Sequence, residues 1–152
     1  MKFDKIIFVC TGNTCRSPMA EYMMKYLWQD KDNTEIISRG IAAFSGEPMN
    51  PKTVRALEVN EVPYEQRTAK ALNEKDLEGR VLILTMTQGH KLSLKNAGKK
   101  DDYPVIYTIK EFAGEDGDVK DPYGMSERAY DLCYLELERL IGKVINRLKG
   151  DE

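Results

Sequence analysis

The sequence predicts an α/β protein, a three-layer doubly wound fold around a four-stranded parallel sheet, and three features carry that expectation. Short β-branched or apolar runs recur at Lys5–Val9, Glu35–Ser38, Val81–Thr85 and Val105–Tyr107. Helical patterns fill the intervals, as βαβ crossovers require. The runs are short and apolar, the mark of strands covered on both faces. At 152 residues the chain has the size of one ordinary domain, and residues 1–152 read as a single unit without repeat or linker.

Taken in order, the first run ends at Val9 and is soon followed by Gly12 and Asn13, after which Ala20, Met23, Met24 and Leu27 fall at helical spacing. This reads as strand, loop, helix. Ser17 suits the N-cap and Pro18 the first turn, so the helix starts there and turns its N-terminus back on the loop. Asn50–Val59 is a second helix. Gly114–Gly124 is polar and rich in Gly, Asp and Pro, and beyond it Ala129, Leu132, Cys133, Leu137, Leu140, Ile141, Val144 and Leu148 trace one face of a long terminal helix. Doubly wound sheets bind ligands beyond the carboxyl ends of their strands, which directs attention to the loop after Val9.

Composition narrows the function. Lys and Arg number 23 against 25 Asp and Glu, a net charge of -2, so no global field recruits nucleic acid or an anionic membrane. The runs Ile6–Cys10 and Val81–Leu84 are too short to span a bilayer, and the first is short for an export signal, so a cytoplasmic chain with reduced thiols is expected. Cys10, Cys15, Cys133 and the lone His90 show no paired ligand spacing, and neither metal nor cofactor is expected. A monomer is the default.

The loop reads Cys10-Thr11-Gly12-Asn13-Thr14-Cys15-Arg16-Ser17, a cysteine and an arginine separated by five residues at a helix N-terminus. A turn of this length aims successive amides at a bound oxyanion, Gly12 permits unusual dihedrals, and the helix dipole favours negative charge. Arg16 adds a two-pronged donor, and the donors together favour the Cys10 thiolate as a nucleophile. Phosphoryl transfer suits such a ring, because the transition-state charge spreads over three equatorial oxygens. The product is a cysteinyl-phosphate. A basic leaving group also needs an acid, and Asp121 in Asp121-Pro122-Tyr123-Gly124 is the best candidate, an ordinary Asp-Pro turn being the other reading.

With these residues in view, the sequence resembles the low-molecular-weight protein tyrosine phosphatase family over nearly its whole length. The signature runs from Val9 through Cys10, Arg16, Ser17 and Pro18 to Glu21, and Asp121-Pro122-Tyr123 follows at the family's spacing. The resemblance implies a metal-independent protein phosphatase with Cys10 as nucleophile, Arg16 as phosphate clamp and Asp121 as acid and then base. Thr11, Gly12, Asn13, Thr14, Cys15 and Arg16 would form the phosphate-binding loop. Asn13, Ser17 and Ser38 match supporting positions, and Phe44 and Tyr123 match positions that wall the cleft.

Thr14 refines the substrate. The family's tyrosine phosphatases usually carry Ile there, whereas a bacterial subgroup resembling protein arginine phosphatases carries Thr, whose smaller polar side chain leaves room for a guanidinium. Phosphoarginine in proteins is favoured over phosphotyrosine, with inorganic phosphate and other oxyanions as inhibitors. Arsenate reduction would need resolving cysteines after the third strand, and residues 81–100 contain none. A non-catalytic phosphate-binding module would have no use for both Cys10 and Asp121, and a nucleotide-binding loop would need Gly-Lys-Ser or Gly-Lys-Thr. Cys15 is either core or the partner of Cys10 in a protective disulfide under oxidants. Cys133 is expected in the core, His90 on the surface, and Lys99–Asp102 and the charges of Glu74–Arg80 on solvated faces.

Overall fold

Side chains of the first strand, β1 (Lys5–Cys10), go alternately to two separate cores. Ile6, Phe8 and Cys10 pack with Met19, Met23, Tyr130 and Leu137, whereas Ile7 and Val9 pack with Val81, Ile83 and Leu94. A strand buried on both faces is the middle of a three-layer structure. In the computed structural model, which describes residues 2–29, 33–98 and 102–150, β1 lies between β2 (Glu35–Gly40) and β3 (Val81–Thr85), with β4 (Val105–Thr108) outside β3. All pairings are parallel, in the order β2-β1-β3-β4.

Helices α1 (Arg16–Leu27), α2 (Pro51–Val59) and α5 (Glu127–Gly150) supply the larger core, while α3 (Gln88–Ser93) and a 3-10 turn at Glu74–Leu77 lie on the other side. A short α4 (Ile109–Phe112) follows β4. The strands run one or two residues further than the apolar runs suggest in three cases, to Cys10, Gly40 and Thr108. Helix α2 begins as expected, with Asn50 Oδ1 accepting from Lys52 N at 2.9 Å and Pro51 opening the first turn. Helix α5 is 24 residues long, and its stripe from Cys133 to Leu148 is buried. No helix among the described residues is long and apolar enough to cross a membrane.

Two expectations need correction. Helix α1 starts at Arg16, with Cys15 at its N-cap and no side-chain cap, because Cys15 O already accepts from Met19 N while the Ser17 hydroxyl is engaged inside the loop. Pro18 therefore sits third in the helix, where no intrahelical donor is lost. Among the charges of Glu74–Arg80, Asp76 is not solvated. It is buried, caps the 3-10 turn with Asn73, and takes a forked pair of bonds from Arg39 at 2.9 and 3.2 Å. Of Lys99–Asp102, only Asp102 lies within the described residues, and it is exposed.

The end of β2 sets the height of the loop after β1. Gly40 is fixed by bonds to Lys70 O and from Leu72 N, and a Cβ added to it would meet Thr11 O at 2.7 Å, Ala43 Cβ at 2.9 Å and Asn13 Cβ at 3.1 Å. The obstacle includes backbone, so the strand or the loop must give way. Gly40→Ala is expected to cost about 1–3 kcal/mol. Thermal unfolding measures this, and an unchanged melting temperature would show that the loop yields freely.

Candidate active site

Asn13 is the residue around which the loop closes. It has left-handed backbone geometry, with φ 58°, and is completely buried. Every polar position of its side chain is filled: Nδ2 donates to Ser17 Oγ at 2.9 Å and Ser38 Oγ at 3.0 Å, and Oδ1 accepts from Arg67 Nη2 at 2.7 Å and Lys70 N at 3.0 Å. Its carbonyl accepts from Arg67 Nη1 at 2.9 Å. Its amide donates to Cys10 Sγ at 3.3 Å. Ser17 Oγ lies 2.9 Å from the same sulfur, and because that oxygen accepts from Asn13 its own hydrogen is free to point at Cys10. Ser38 donates in turn to buried Glu21 at 2.6 Å, which Lys25 neutralises at 2.7 Å.

The sulfur thus receives two donors, and the loop around it keeps others in hand. Among the described residues, the amides of Gly12, Thr14 and Cys15 have no protein acceptor. Arg16 is buried; its Nη1 donates to Val119 O at 2.9 Å, and its Nε has no partner among the described residues. A buried guanidinium with an unused N–H beside free loop amides is a site built for an oxyanion.

Val119 also brings in Asp121. It is completely buried, and its amide donates to Met86 O at 2.9 Å while its carbonyl takes the Arg16 bond. Asp118 accepts from Gln88 N at 2.9 Å, tying the same loop to the start of α3. Two residues beyond Val119, Asp121 arrives with Oδ2 3.5 Å from Arg16 Nη2, and its other oxygen accepts from Tyr123 N at 3.1 Å. Its side chain is half-exposed, so the carboxyl lies between the arginine and solvent.

These residues line a cleft of about 290 Å³. Cys10, Thr11, Gly12, Thr14, Cys15 and Arg16 form its floor, and Ala42, Phe44, Glu47, Asp121 and Tyr123 its rim. Phe44 and Tyr123 are 76% and 66% exposed, which leaves both aromatic faces available to a ligand. Ser38 lines no part of it and acts from beneath through Asn13. Cys15 Sγ lies 3.3 Å from Tyr130 Oη, and burial pushes its thiol up, with the nearby Cys10 adding a smaller push the same way. Cys133 is buried on α5 and raised to about 12, chiefly by burial.

A scan of the chain against protein-family models matches residues 5–152 to low molecular weight phosphotyrosine protein phosphatase. The chain belongs to that family of protein phosphatases. It is 41% identical over 140 residues to the low molecular weight protein-tyrosine-phosphatase PtpB of Staphylococcus haemolyticus, covering 92% of this chain and 96% of that one. It is also 37% identical over 149 residues to the protein-arginine-phosphatase of Bacillus subtilis, covering 96% and 97%. Among solved structures it is similar to the YwlE arginine phosphatase, in a Cys-to-Ser mutant with a phosphorylated active-site serine, at TM-score 0.88 and 35% identity over 97% of each chain.

The phosphatase differs from its sequence reading at His90, which is not a free surface residue. It is half-buried, with Nε2 2.9 Å from Thr11 Oγ1 and Nδ1 buried without a partner among the described residues. Burial holds the ring below the ordinary histidine range, the Arg16 charge adds to this, and Asp118 and Asp121 oppose it. Arg67, Glu21 and Glu47 also belong to the site or its support and were not foreseen. For Arg67 the one available signal was an arginine in the long loop of residues 60–73, where only the fold reveals its target. Arg67→Met leaves two Asn13 oxygens short of their cationic donor. It is expected to cost about 1.5–3 kcal/mol in urea unfolding and to lower turnover even where the chain stays folded. Full activity in the folded variant would show that the loop does not need this clamp.

Proposed function

We propose that this phosphatase removes phosphoryl groups from arginine in proteins through a cysteinyl-phosphate on Cys10. The observation that carries the mechanism is the stacking of three groups in one cleft: a sulfur under two donors, an arginine with an unused N–H, and a carboxyl 3.5 Å from that arginine facing solvent. In the first step the Cys10 thiolate attacks phosphorus, the P–N bond breaks, and the departing guanidine nitrogen takes a proton from the Asp121 carboxyl. In the second, Asp121 takes a proton from water, the water oxygen bonds to phosphorus, and the S–P bond breaks to give inorganic phosphate and free thiolate. Ser17 donates to the sulfur as it leaves. The phosphorylated active-site serine of the YwlE mutant supports phosphoryl transfer to the position that Cys10 occupies here.

Phosphoarginine is preferred because Thr14 gives the floor a short polar wall and the rim carries two carboxylates, Glu47 and Asp121, to receive a cation. The similarity to the Bacillus subtilis protein-arginine-phosphatase supports the same choice. Phosphotyrosine is the second reading, favoured by Phe44 and Tyr123, whose exposed rings suit a phenol between them, and by the likeness to PtpB.

Side-by-side turnover of phosphoarginine and phosphotyrosine peptides, with chelator present, separates the two. Wild type is expected to prefer phosphoarginine, and Thr14→Ile to shift the ratio of kcat/KM values towards phosphotyrosine by about tenfold, the worth of one small pocket change. An unmoved ratio removes the reason for choosing arginine. Cys10→Ser is expected to abolish turnover in both assays, and mass spectrometry of acid-quenched wild type to place the phosphoryl adduct on Cys10. An adduct elsewhere would sink the mechanism.

The second thiol fits protection of the first. Under peroxide the Cys10 thiolate is oxidised to sulfenic acid, and the Cys15 thiol condenses with it to a disulfide with loss of water. Reductant is expected to restore peroxide-treated wild type and to fail with Cys15→Ser. Equal recovery of the two proteins counts against this pairing.

A further inference from the structure

His90 has no task in the two steps above, yet it touches the residue that follows the nucleophile. Thr11 lines the cleft, and its carbonyl is fixed by Ala42 N at 2.9 Å. Its hydroxyl is held from the other side, 2.9 Å from His90 Nε2. His90 is set in turn by the cap of α3, where Thr87 Oγ1 accepts from His90 N at 3.0 Å, and by Asp118, which holds the preceding turn.

The two ring nitrogens are not equivalent. Nδ1 is buried and has no partner among the described residues. A hydrogen placed there would be a buried donor with no acceptor, which costs more than an unshared lone pair. Burial and the Arg16 charge keep the ring neutral at pH 7, so it carries one hydrogen only. That hydrogen belongs on Nε2, and His90 donates to Thr11 Oγ1. A threonine hydroxyl that accepts from imidazole keeps its own hydrogen for another acceptor. Thr11 sits on the floor of a cleft built for an oxyanion, and its rotamer is no longer free.

We propose that His90 is a positioning residue for oxyanion binding: its Nε2–H fixes the Thr11 hydroxyl so that the hydroxyl hydrogen is donated to a phosphate oxygen in the cleft. The effect lies on phosphate affinity whichever phosphoamino acid is the substrate, and it rests on the reading of residues 10–16 as the phosphate cradle.

The test is titration of inorganic phosphate into the whole protein by calorimetry, paired with its Ki in the phosphatase assay. His90→Ala and His90→Asn are expected to weaken phosphate binding by about two- to tenfold, the worth of one neutral hydrogen bond, and to raise KM more than they lower kcat. His90→Gln, whose amide nitrogen stands as many bonds from the backbone as Nε2, is expected to restore binding to within about twofold. In a Thr11→Val background, His90→Ala is expected to add no further loss. Wild-type binding that His90→Ala leaves unchanged overturns the proposal, as does a loss of the same size in the Thr11→Val background. A wild-type protein that binds no phosphate would sink the cradle itself, and this proposal with it.

Discussion

The structure depends on the burial of one polar side chain with all its bonds made. Asn13 holds a backbone conformation that a non-glycine residue adopts only with compensation, and the compensation comes from four residues on three segments: Ser17 from α1, Ser38 from β2, and Arg67 and Lys70 from the loop of residues 60–73. A buried amide that lacks one partner is costly. The network is therefore close to all-or-none, and the position of the Cys10 sulfur follows from it. The chain of contacts extends from Lys25 at the surface through Glu21, Ser38, Asn13 and Ser17 to Cys10, so a charge half a helix away is coupled to the Cys10 sulfur.

A second constraint brings Asp121 to the same point by a different route. Val119 is an apolar anchor whose backbone is fixed at both ends, by Met86 beyond β3 and by Arg16 in α1. The loop that bears Asp121 is consequently referenced to the sheet and to Arg16 at once. This matters for the proton transfers proposed for Asp121, which tolerate little misplacement. The sheet order β2-β1-β3-β4 makes the arrangement possible, since β1 ends between β2, which closes on Gly40, and β3, which is followed at once by Met86 and then by His90 in α3.

Most of the fold, and the gathering of Cys10, Arg16 and Asp121 in one cleft, were legible in the sequence because their signals are local. Four apolar residues before Cys10, Gly12 and Asn13 inside a five-residue spacing, and Asp121 ahead of a proline each report geometry within one turn of chain. The supporting residues were not legible for the opposite reason. Arg67 reaches Asn13 across 54 positions, Arg39 reaches Asp76 across 37, and His90 reaches Thr11 across 79. Nothing near Arg67 or His90 in sequence differs from a solvated loop. Ser17 misled for a related reason: a serine before a proline has the local form of a helix cap, and only the packed loop shows its hydroxyl spent on a sulfur.

The floor of the cleft and its rim are held in different ways. The floor is locked by buried hydrogen bonds, whereas Phe44, Glu47 and Tyr123 stand largely exposed above it. Any small tetrahedral anion that fits the ring competes for the same donors, so an inhibitor built on that group alone would not distinguish this enzyme from another with the same loop. Selectivity in a designed compound has to come from what it appends to the anion, and the two aromatic faces and the glutamate at the mouth are where such an appendage should be aimed.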